Sequence, residues 1–355
     1  MQVQIDGQRK PFTDSTPGKK GKILCEQKAD RWIETRVVNE NTRSEIILDS
    51  WYEDLKAATS RGHYQQYEKY IRLYIKPLIG TKKIGSLNQN DLQKIINFAY
   101  SKKRANDKKL AEKTLKNIRA CIMSFIKYCR GSKSTTWHPE TLTIPAGAAQ
   151  SVKTIADISD INILFNVTTR KRYGKTVEDF YIHAYRFAVL TGMRPGELIG
   201  LRRSDIKGSK VTIFQSINIF DEITQGKNKN ARRTYTLDNH ALQVLEDQYN
   251  MLASLSLLSP YVFPDYDLSH IKEKRLYTAW KRYCADNNIT NATTPYELRH
   301  TFVSVNTNMP DGLKDLVIGH SKNFDTHGTY GHEKAGDMEA AAAHINTAFT
   351  KILGW

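Results

Sequence analysis

Hydrophobic residues recur every three to four positions between residues 45 and 130, the spacing of helices that bury one face. Pro77 and Gly80 are expected to end one helical run, and Asn88 with Asp91 matches a capping signal that opens another. The apolar stripes are Ile47, Trp51 and Leu55; Tyr67, Tyr70, Ile71 and Tyr74; Leu92, Ile95, Ile96 and Ala99; and Leu115, Ile118, Ile122, Phe125 and Cys129. This pattern predicts a small four-helix domain over residues 45–130.

The segments on either side of this domain lack such a pattern. Residues 1–44 are polar and lysine-rich, and their prolines and glycines are expected to break any long element, which predicts a small appendage or a partly disordered basic arm. Residues 131–150 combine Gly, Pro, Ser and Thr without periodicity and are predicted to be an interdomain linker.

Residues 151–355 predict a second domain in which helices surround a small β-hairpin. Helical spacing covers residues 158–165 and 180–190, with Gly192 placed to end the second helix and Pro195 in the first turn of the next. Alternation of period two then predicts strands through Val211 and Ile213 and back to Leu237, with a turn around Gly226. Further helices are predicted over 239–258, 269–287 and the last twenty residues. The fold class is therefore mainly α with a small hairpin (α+β).

The charge indicates an anionic partner. The chain has 355 residues, a formal net charge of +16, and 53 Lys and Arg against 37 Asp and Glu. Nucleic acid suits this excess, although a merely basic soluble protein is the alternative. One basic run with few acids predicts a surface that tracks phosphates, the alternative being an ordinary solvated face. It comprises Lys102, Lys103, Arg104, Lys108, Lys109, Lys113, Lys116 and Arg119.

Other composition signals exclude several classes of site. The four cysteines have neither CxxC spacing nor histidine neighbours, so no zinc site is predicted, and they are expected to be reduced. No stretch approaches the length of a membrane helix, and the N-terminus lacks the apolar run of a signal peptide. A cytoplasmic protein associated with the nucleoid is expected.

Three polar strings contain residues suited to phosphodiester chemistry. They are TGMRPGELIGL at 191–201, TPYELRHTF at 294–302 and LVIGHSKNFDTHGTYGH at 316–332. Breaking and rejoining a phosphodiester without a metal requires a nucleophile, positive charge on the phosphate oxygens and a proton donor for the leaving oxygen. Arg194 is a candidate phosphate ligand that Glu197 would hold straight, although a simple structural pairing of the two is the alternative.

The second string predicts an anion site at a helix N-terminus. Thr294 and Glu297 match a capping box with Pro295 in the first turn, which places Tyr296 and Arg299 on one face. In the third string, Tyr330 has polar, glycine-rich surroundings rather than an apolar stripe, so it is a candidate nucleophile. Tyr330 could instead be structural, and so could His320, which lies ten residues before it in the same string.

Together the strings resemble the catalytic boxes of the tyrosine recombinases, or phage integrase family, most closely those of phages or conjugative transposons. The resemblance implies a helical core-binding domain followed by a catalytic domain in which Arg194, Arg299 and His320 contact the scissile phosphate and Tyr330 attacks it. The string KNKNARRTYTL resembles the family's lysine hairpin, which assigns Lys227 as the catalytic lysine, with Lys229 its rival or a phosphate contact. Tyr296 departs from the usual histidine or lysine, and a phenol is a poorer general base near neutrality.

The resemblance also implies a function. The chain would be an integrase that cleaves and rejoins double-stranded DNA through a 3′-phosphotyrosine link, without cofactor or metal. It would act as a homotetramer on attachment sites, with the amphipathic C-terminal helix docked on a neighbouring protomer and excision or DNA-bending factors as further partners. The basic arm of residues 1–44 would bind DNA at separate arm sites. Strand relaxation like that of a type IB topoisomerase and a non-catalytic DNA-binding regulator on the same fold are the alternatives.

Overall fold

The computed structural model describes residues 1–5, 8–34, 38–102, 109–150, 153–225, 232–319 and 335–355. The chain forms two compact units, Met1–Val152 and Lys153–Trp355. Both are mainly helical with small antiparallel sheets, which confirms the predicted fold class. Within these ranges no helix is long and apolar enough to cross a membrane.

The N-terminal segment is more ordered than the sequence suggested. Strands β1 (Gln2–Ile5) and β2 (Gln8–Pro11) pair in an antiparallel hairpin, and the 16-residue helix α1 (Lys19–Glu34) follows. The expectation that no long element forms here is wrong. Gly18, at φ 76°, lies immediately before the helix, and although Gly21 lies within the first turn, the helix continues to Glu34.

The predicted four-helix domain is present, and its buried faces are those of the apolar stripes. The Asn88 cap is confirmed, since the Asn88 side chain accepts from the Asp91 N–H at 3.1 Å. The helical run continues through a π-helical turn over Ile71–Ile75 and past Pro77, and it ends at Ile79 immediately before Gly80, the second of the two expected stops. The helices are α2 (Ser44–Ala58), α3 (Arg61–Tyr70), α4 (Lys76–Ile79), α5 (Gln89–Ser101) and α6 (Glu112–Gly131).

The segment predicted as a free linker packs against this helical domain. Leu142 is completely buried in its core, and Arg119 donates to the Leu142 carbonyl at 3.0 Å. The side-chain amide of Gln93, in α5, donates to the Thr143 carbonyl and accepts from the Thr143 N–H, both at 2.9 Å. Residues 131–150 therefore belong to the first unit, and the boundary lies after residue 152.

The second unit is built around a central buried helix. All ten residues of α8 (Ile182–Thr191) are buried, as expected of a helix covered on every side. Packed around it are α7 (Ile158–Asn166), α9 (Pro195–Gly200), α10 (Asn239–Ser254), α11 (Glu273–Asp286), α12 (Pro295–Val305), α13 (Asp311–Ile318) and α14 (Asp337–Leu353).

The strands of this unit form three small sheets. The first is a hairpin of β3 (Thr169–Arg172) and β4 (Lys175–Glu178), which the sequence analysis missed. The second contains β5 (Ile206–Lys207), β6 (Lys210–Ile213) and β9 (Arg233–Thr236), and its β6–β9 pair confirms the predicted strands. An additional hairpin, β7 (Ser216–Ile217) with β8 (Ile223–Thr224), precedes the expected turn at Gly226, which itself lies outside the described residues.

Helix α14 packs on its own unit. Met338, Ala341, Ile345 and Phe349 are buried against α7, α13 and β9. The apolar face of α14 is therefore covered within the chain. The predicted docking of this helix on a neighbouring protomer stays a prediction.

Candidate active site

Arg194 lies between two helices whose ends determine its position. Gly192 ends α8 at φ 61°, a left-handed conformation that glycine adopts without strain, and a Cβ at this position would lie 2.5 Å from the Phe302 ring. Arg194 then occupies the extended position before α9, with Pro195 in the first turn as predicted. The close approach of Phe302 joins α8 to α12, which carries the second predicted arginine.

Glu197 is the centre of the predicted arginine pairing. Its carboxylate accepts from Arg194 Nη1 at 2.7 Å and from the Arg194 backbone N–H at 3.0 Å. Glu197 also accepts from Arg233 Nη1 and Nη2 at 3.1 and 2.9 Å. The Glu197 side chain is 2 % exposed, so these bonds form in a site that largely excludes water. Glu197 thus holds two arginines, where the sequence analysis expected one.

Arg233 is a site residue that the sequence analysis missed. Its Nε donates to the Val317 carbonyl at 2.5 Å while its fork holds Glu197. A signal was present in RRTYTL: in a strand of period two, Arg233 shares a face with Tyr235 and Leu237, both buried. An arginine on the buried face of a strand needs a buried acceptor, and Glu197 is that acceptor.

Arg299 is the other predicted arginine, and it is 2 % exposed. It donates to the Gly192 carbonyl at 2.6 Å and to the Ile318 carbonyl at 2.8 Å. Helix α12 begins as predicted, with the Thr294 N–H donating to Glu297 Oε2 at 2.7 Å. The structure therefore brings Arg194, Arg299 and Glu197 together from stretches more than one hundred residues apart.

The end of α13 binds all three arginines through its backbone. Arg233 donates to the carbonyl of Val317, Arg299 to that of Ile318, and Arg194 to that of Gly319 at 3.2 Å. Carbonyls at a helix C-terminus have no partner within the helix and carry the negative end of its dipole, so they suit cationic donors. Gly319 closes the helix at φ 65°. His320 follows it in the sequence.

The electrostatics of this arginine cluster favour an anionic ligand. Burial raises the pKa of the Glu197 carboxyl, but the hydrogen bonds and charge of Arg233, then of Arg194, outweigh it and bring the pKa below its ordinary value. Burial first, then the neighbouring charge of Arg194, lowers the pKa of Arg299 to about 10, which still leaves it charged at neutral pH. Three guanidinium groups and one carboxylate leave two uncompensated positive charges. A phosphodiester carries one negative charge, so it would neutralise one of them and leave the other to stabilise charge that develops in a transition state.

Tyr296 lies at the surface beside this cluster. It is 40 % exposed, and its ring packs edge-on against His300 with centroids 5.1 Å apart. His300 is half-buried, and burial, Lys153 and Arg299 lower its pKa. The predicted role of His300 as a packing residue fits this position, while Tyr296 is free to reach a ligand from the solvent side.

Four predicted site residues, Lys227, Lys229, His320 and Tyr330, lie outside the described residues, and so do Lys103, Arg104 and Lys108 of the basic run. In the rest of that run, Lys113 is exposed, whereas Lys116 pairs with Glu112 at 2.6 Å. Lys109 lies over the Tyr100 ring at 4.3 Å. Lys102 donates to the Leu73 carbonyl at 3.4 Å. Among the described residues of this run, Lys116 alone forms an ion pair, Lys102, Lys109 and Lys113 are exposed, and Arg119 binds within the domain.

Comparison with known protein families accounts for both units. The profile of the Phage integrase family matches residues 163–335, and that of the Phage integrase N-terminal SAM-like domain matches residues 45–100. The first range contains Arg194, Glu197, Arg233 and Arg299. The second covers most of the helical domain.

Individual relatives support the same family as these two profiles. The chain is 23% identical to a "Tyrosine recombinase XerC-like" protein of Caldanaerobacter subterraneus subsp. tengcongensis, over 85% of this chain and 82% of the relative. The fold is similar to that of the Tn1549 transposon integrase in complex with transposon right end DNA, with a TM-score of 0.66 at 15% identity, over 88% of this chain and 100% of that chain. It is also similar to a lambda integrase tetramer bound to a Holliday junction, with a TM-score of 0.60 at 12% identity, over 93% of each chain. The chain belongs to the phage integrase family and is a tyrosine-type site-specific recombinase.

Proposed function

We propose that the chain is the integrase of a mobile element and exchanges DNA strands through a covalent 3′-phosphotyrosine link to Tyr330. The observation that carries this proposal is the arginine cluster, whose two uncompensated charges lie at the end of α13. The scissile phosphate is the ligand that such a cluster fits. Residues 320–334, which contain His320 and Tyr330, follow that helix end in the sequence.

Each residue has one step in the proposed reaction. Arg194 and Arg299 bind the non-bridging oxygens, and His320 donates a hydrogen bond to the phosphate. The Tyr330 phenolate attacks phosphorus, the bond to the 5′-oxygen breaks, and Lys227 protonates that oxygen as it leaves. Attack by the 5′-hydroxyl of the partner strand then expels Tyr330. Tyr296 contacts the phosphate or the nucleophile from the solvent side.

Glu197 and Arg233 position these groups without touching DNA. The Glu197 carboxylate binds both the backbone N–H and the guanidinium group of Arg194, and Arg233 holds the Glu197 carboxylate in place. Because guanidinium and carboxylate groups pair with defined planarity, this chain of contacts fixes the orientation of Arg194 as well as its charge.

Binding and assembly extend the proposal to the first unit. Lys113 and the basic residues around it contact the phosphates of attachment-site DNA; these residues are Lys102, Lys103, Arg104, Lys108, Lys109 and Lys116. Lys229 of the second unit contacts phosphates as well, and the N-terminal hairpin and α1 bind separate arm sites. A similar integrase forms a tetramer on a Holliday junction, which supports a tetramer here. Helix α14 would take part by moving from its own unit to the same surface of a neighbour. Excision or bending factors would complete the assembly at the nucleoid, in the cytoplasm.

Trapping the covalent link tests the proposal. The protein is incubated with nicked duplexes of randomised flanking sequence in the presence of chelator, then denatured, and protein–DNA adducts are mapped by peptide sequencing. We expect an adduct at Tyr330 that Tyr330→Phe abolishes and that Tyr64→Phe, in the first unit, preserves. DNA binding without any adduct would support the regulator instead.

A second assay separates recombination from relaxation. With a supercoiled plasmid that carries two copies of the trapped site, a recombinase yields products with exchanged flanks. A topoisomerase-like enzyme yields only relaxed circles. Relaxation without exchange, under conditions that form the Tyr330 adduct, would contradict the integrase assignment while leaving the nucleophile in place.

A further inference from the structure

A second cationic surface lies in the catalytic unit, apart from the arginine cluster. Its main element is the β3–β4 hairpin, whose sequence RKRYGK at residues 170–175 contains four cations in six residues. Tyr173 and Gly174 form its two-residue loop, both at positive φ, and Tyr173 is 94 % exposed. No residue of this hairpin has a part in the reaction described above.

The hairpin forms one wall of a groove, and helix α11 forms the other. The Lys171 N–H donates to Asp286 at 2.9 Å, and Asn287 donates to the Thr169 carbonyl at 3.0 Å, so the hairpin is fastened to the end of the helix. Arg275 and Arg282 are seven residues apart and lie on the same face of α11. Together with the hairpin they enclose a cavity of about 480 Å³, with Tyr181 and Tyr266 also in its lining.

The charge of this hairpin groove is only partly neutralised. Arg170 pairs with the buried Asp179 at 3.1 Å, and Arg275 pairs with the buried Asp265 at 2.6 Å. These two ion pairs fix the inner arginines. Over the described ranges, Lys171, Arg172 and Arg282 form no ion pair, and all three are exposed. The outer edge of the groove therefore presents three available cations.

Aromatic rings accompany these cations. Arg172 lies over the Tyr173 ring at 5.7 Å, and Tyr266, 52 % exposed, stacks on Phe180 with centroids 4.4 Å apart. Exposed tyrosines beside arginines favour nucleic acid over an acidic protein, because their rings pack on sugars and bases while the guanidinium groups bind phosphates. A two-stranded ribbon also has the width that a DNA major groove accepts.

The groove and the arginine cluster lie at opposite ends of α8. Tyr181 precedes the first residue of this helix, and Gly192, which binds Arg299, follows the last. Ten helical residues span about 15 Å. A ligand of the groove is therefore not the cleaved phosphate but another part of the nucleic acid.

We propose that the hairpin groove binds the sugar–phosphate backbone of DNA at a second position, either further along the cleaved duplex or on the second duplex of the reaction. The exposed cations Lys171, Arg172 and Arg282 supply the phosphate contacts, and Tyr173 at the hairpin tip packs on sugar or base. This inference rests on DNA as the substrate but not on the identity of the nucleophile.

The salt dependence of DNA affinity tests this proposal. Arg172→Ala with Arg282→Ala removes two groove cations, and Lys274→Ala with Lys281→Ala removes two exposed lysines of α11 that do not line the groove. Each lost phosphate contact reduces the slope of log K against log salt by about 0.9. Over a fourfold rise in salt, we expect the affinity of the groove variant to fall about tenfold less than that of the wild type. The control variant should retain the wild-type slope.

Two lengths of duplex identify the position of the DNA. If the groove variant already shows a reduced slope on a duplex of about two turns, the contact lies beside the nick. If the reduced slope appears only on a duplex of about four turns, or with two duplexes, the contact lies further away. Both results support the proposal. Equal slopes for the groove and control variants at every length would overturn it. Adduct formation at saturating protein, measured in parallel, tests the function of Tyr330 separately.

Discussion

Replacement of Arg233 tests the most specific feature of the site, because no motif in the sequence identified this residue. Arg233→Ala removes two hydrogen bonds to Glu197 and one to the Val317 carbonyl. The Glu197 carboxylate is 2 % exposed and would be left with Arg194 alone. Removing one partner of a buried ion pair costs about 3–5 kcal/mol, so we expect the free energy of unfolding of the second unit to fall by this amount.

A lysine at the same position separates charge from geometry. Arg233→Lys keeps the positive charge but cannot hold both carboxylate oxygens and the Val317 carbonyl together, so we expect a loss of about 1–3 kcal/mol. Arg232→Ala is the matched control. Arg232 is the adjacent residue and is exposed, and its removal should change the stability by less than about 0.5 kcal/mol. Urea denaturation of the full chain measures all three, followed by tryptophan fluorescence, to which Trp280 and Trp355 of the second unit contribute.

Adduct formation shows whether the positioning matters for the reaction. At saturating protein, and well below the melting temperature of every variant, Arg233→Ala should form the Tyr330 adduct about 100-fold more slowly, since a displaced Arg194 no longer stabilises the charge of the transition state. The rate of adduct formation by Arg233→Lys should lie between the rates of Arg233→Ala and the wild type. A wild-type rate for Arg233→Ala, despite its lower stability, would refute the positioning role. Unchanged stability would refute the buried-pair argument itself.

Two further changes test the surroundings of the site. Burial raises the pKa of Asp238, at the start of α10, to about 7. Between about pH 4 and 7 the folded state therefore binds more protons than the unfolded state, so the free energy of unfolding falls as pH rises through that range. Asp238→Asn keeps an oxygen acceptor for the Ala241 N–H, and thermal melts should show that this part of the pH dependence has disappeared. Gly192→Ala places a Cβ 2.5 Å from Phe302 at a left-handed φ, and we expect it to cost about 2–4 kcal/mol and to slow adduct formation, since Arg299 binds the Gly192 carbonyl. Denaturation midpoints and adduct rates that match the wild type would show that the backbone adapts there.

Much of the fold could be predicted because helical stripes and caps are local signals. The stripes of α2, α5 and α6 coincide with buried faces, and the Asn88 cap and the Gly192 and Pro195 boundaries are where the residue types require them. The β3–β4 hairpin was missed because it is polar on both faces and has no alternation to detect. Its one signal is a Gly174 loop, which is weak alone.

The site was only partly predictable because its geometry depends on distant segments. Arg194, Glu197 and Arg299 were recognised through motif strings. Arg233 lies in the string KNKNARRTYTL, but that resemblance assigned only the lysines, and the role of Arg233 depends on which residue β9 faces across the unit. The surface that covers the α14 face within the chain could not be predicted either, since amphipathicity shows that a helix needs a partner but does not identify that partner.

The binding of the arginines to the end of α13 has a consequence for which substitutions the site tolerates. The acceptors at Val317, Ile318 and Gly319 are backbone carbonyls, and every amino acid supplies the same carbonyl. Substitution of a side chain on this helix therefore leaves the three hydrogen bonds available, provided that the helix still closes after position 318. Substitution of an arginine, in contrast, removes the donor itself. The site thus depends on the path of the α13 backbone and on three side chains from elsewhere in the unit.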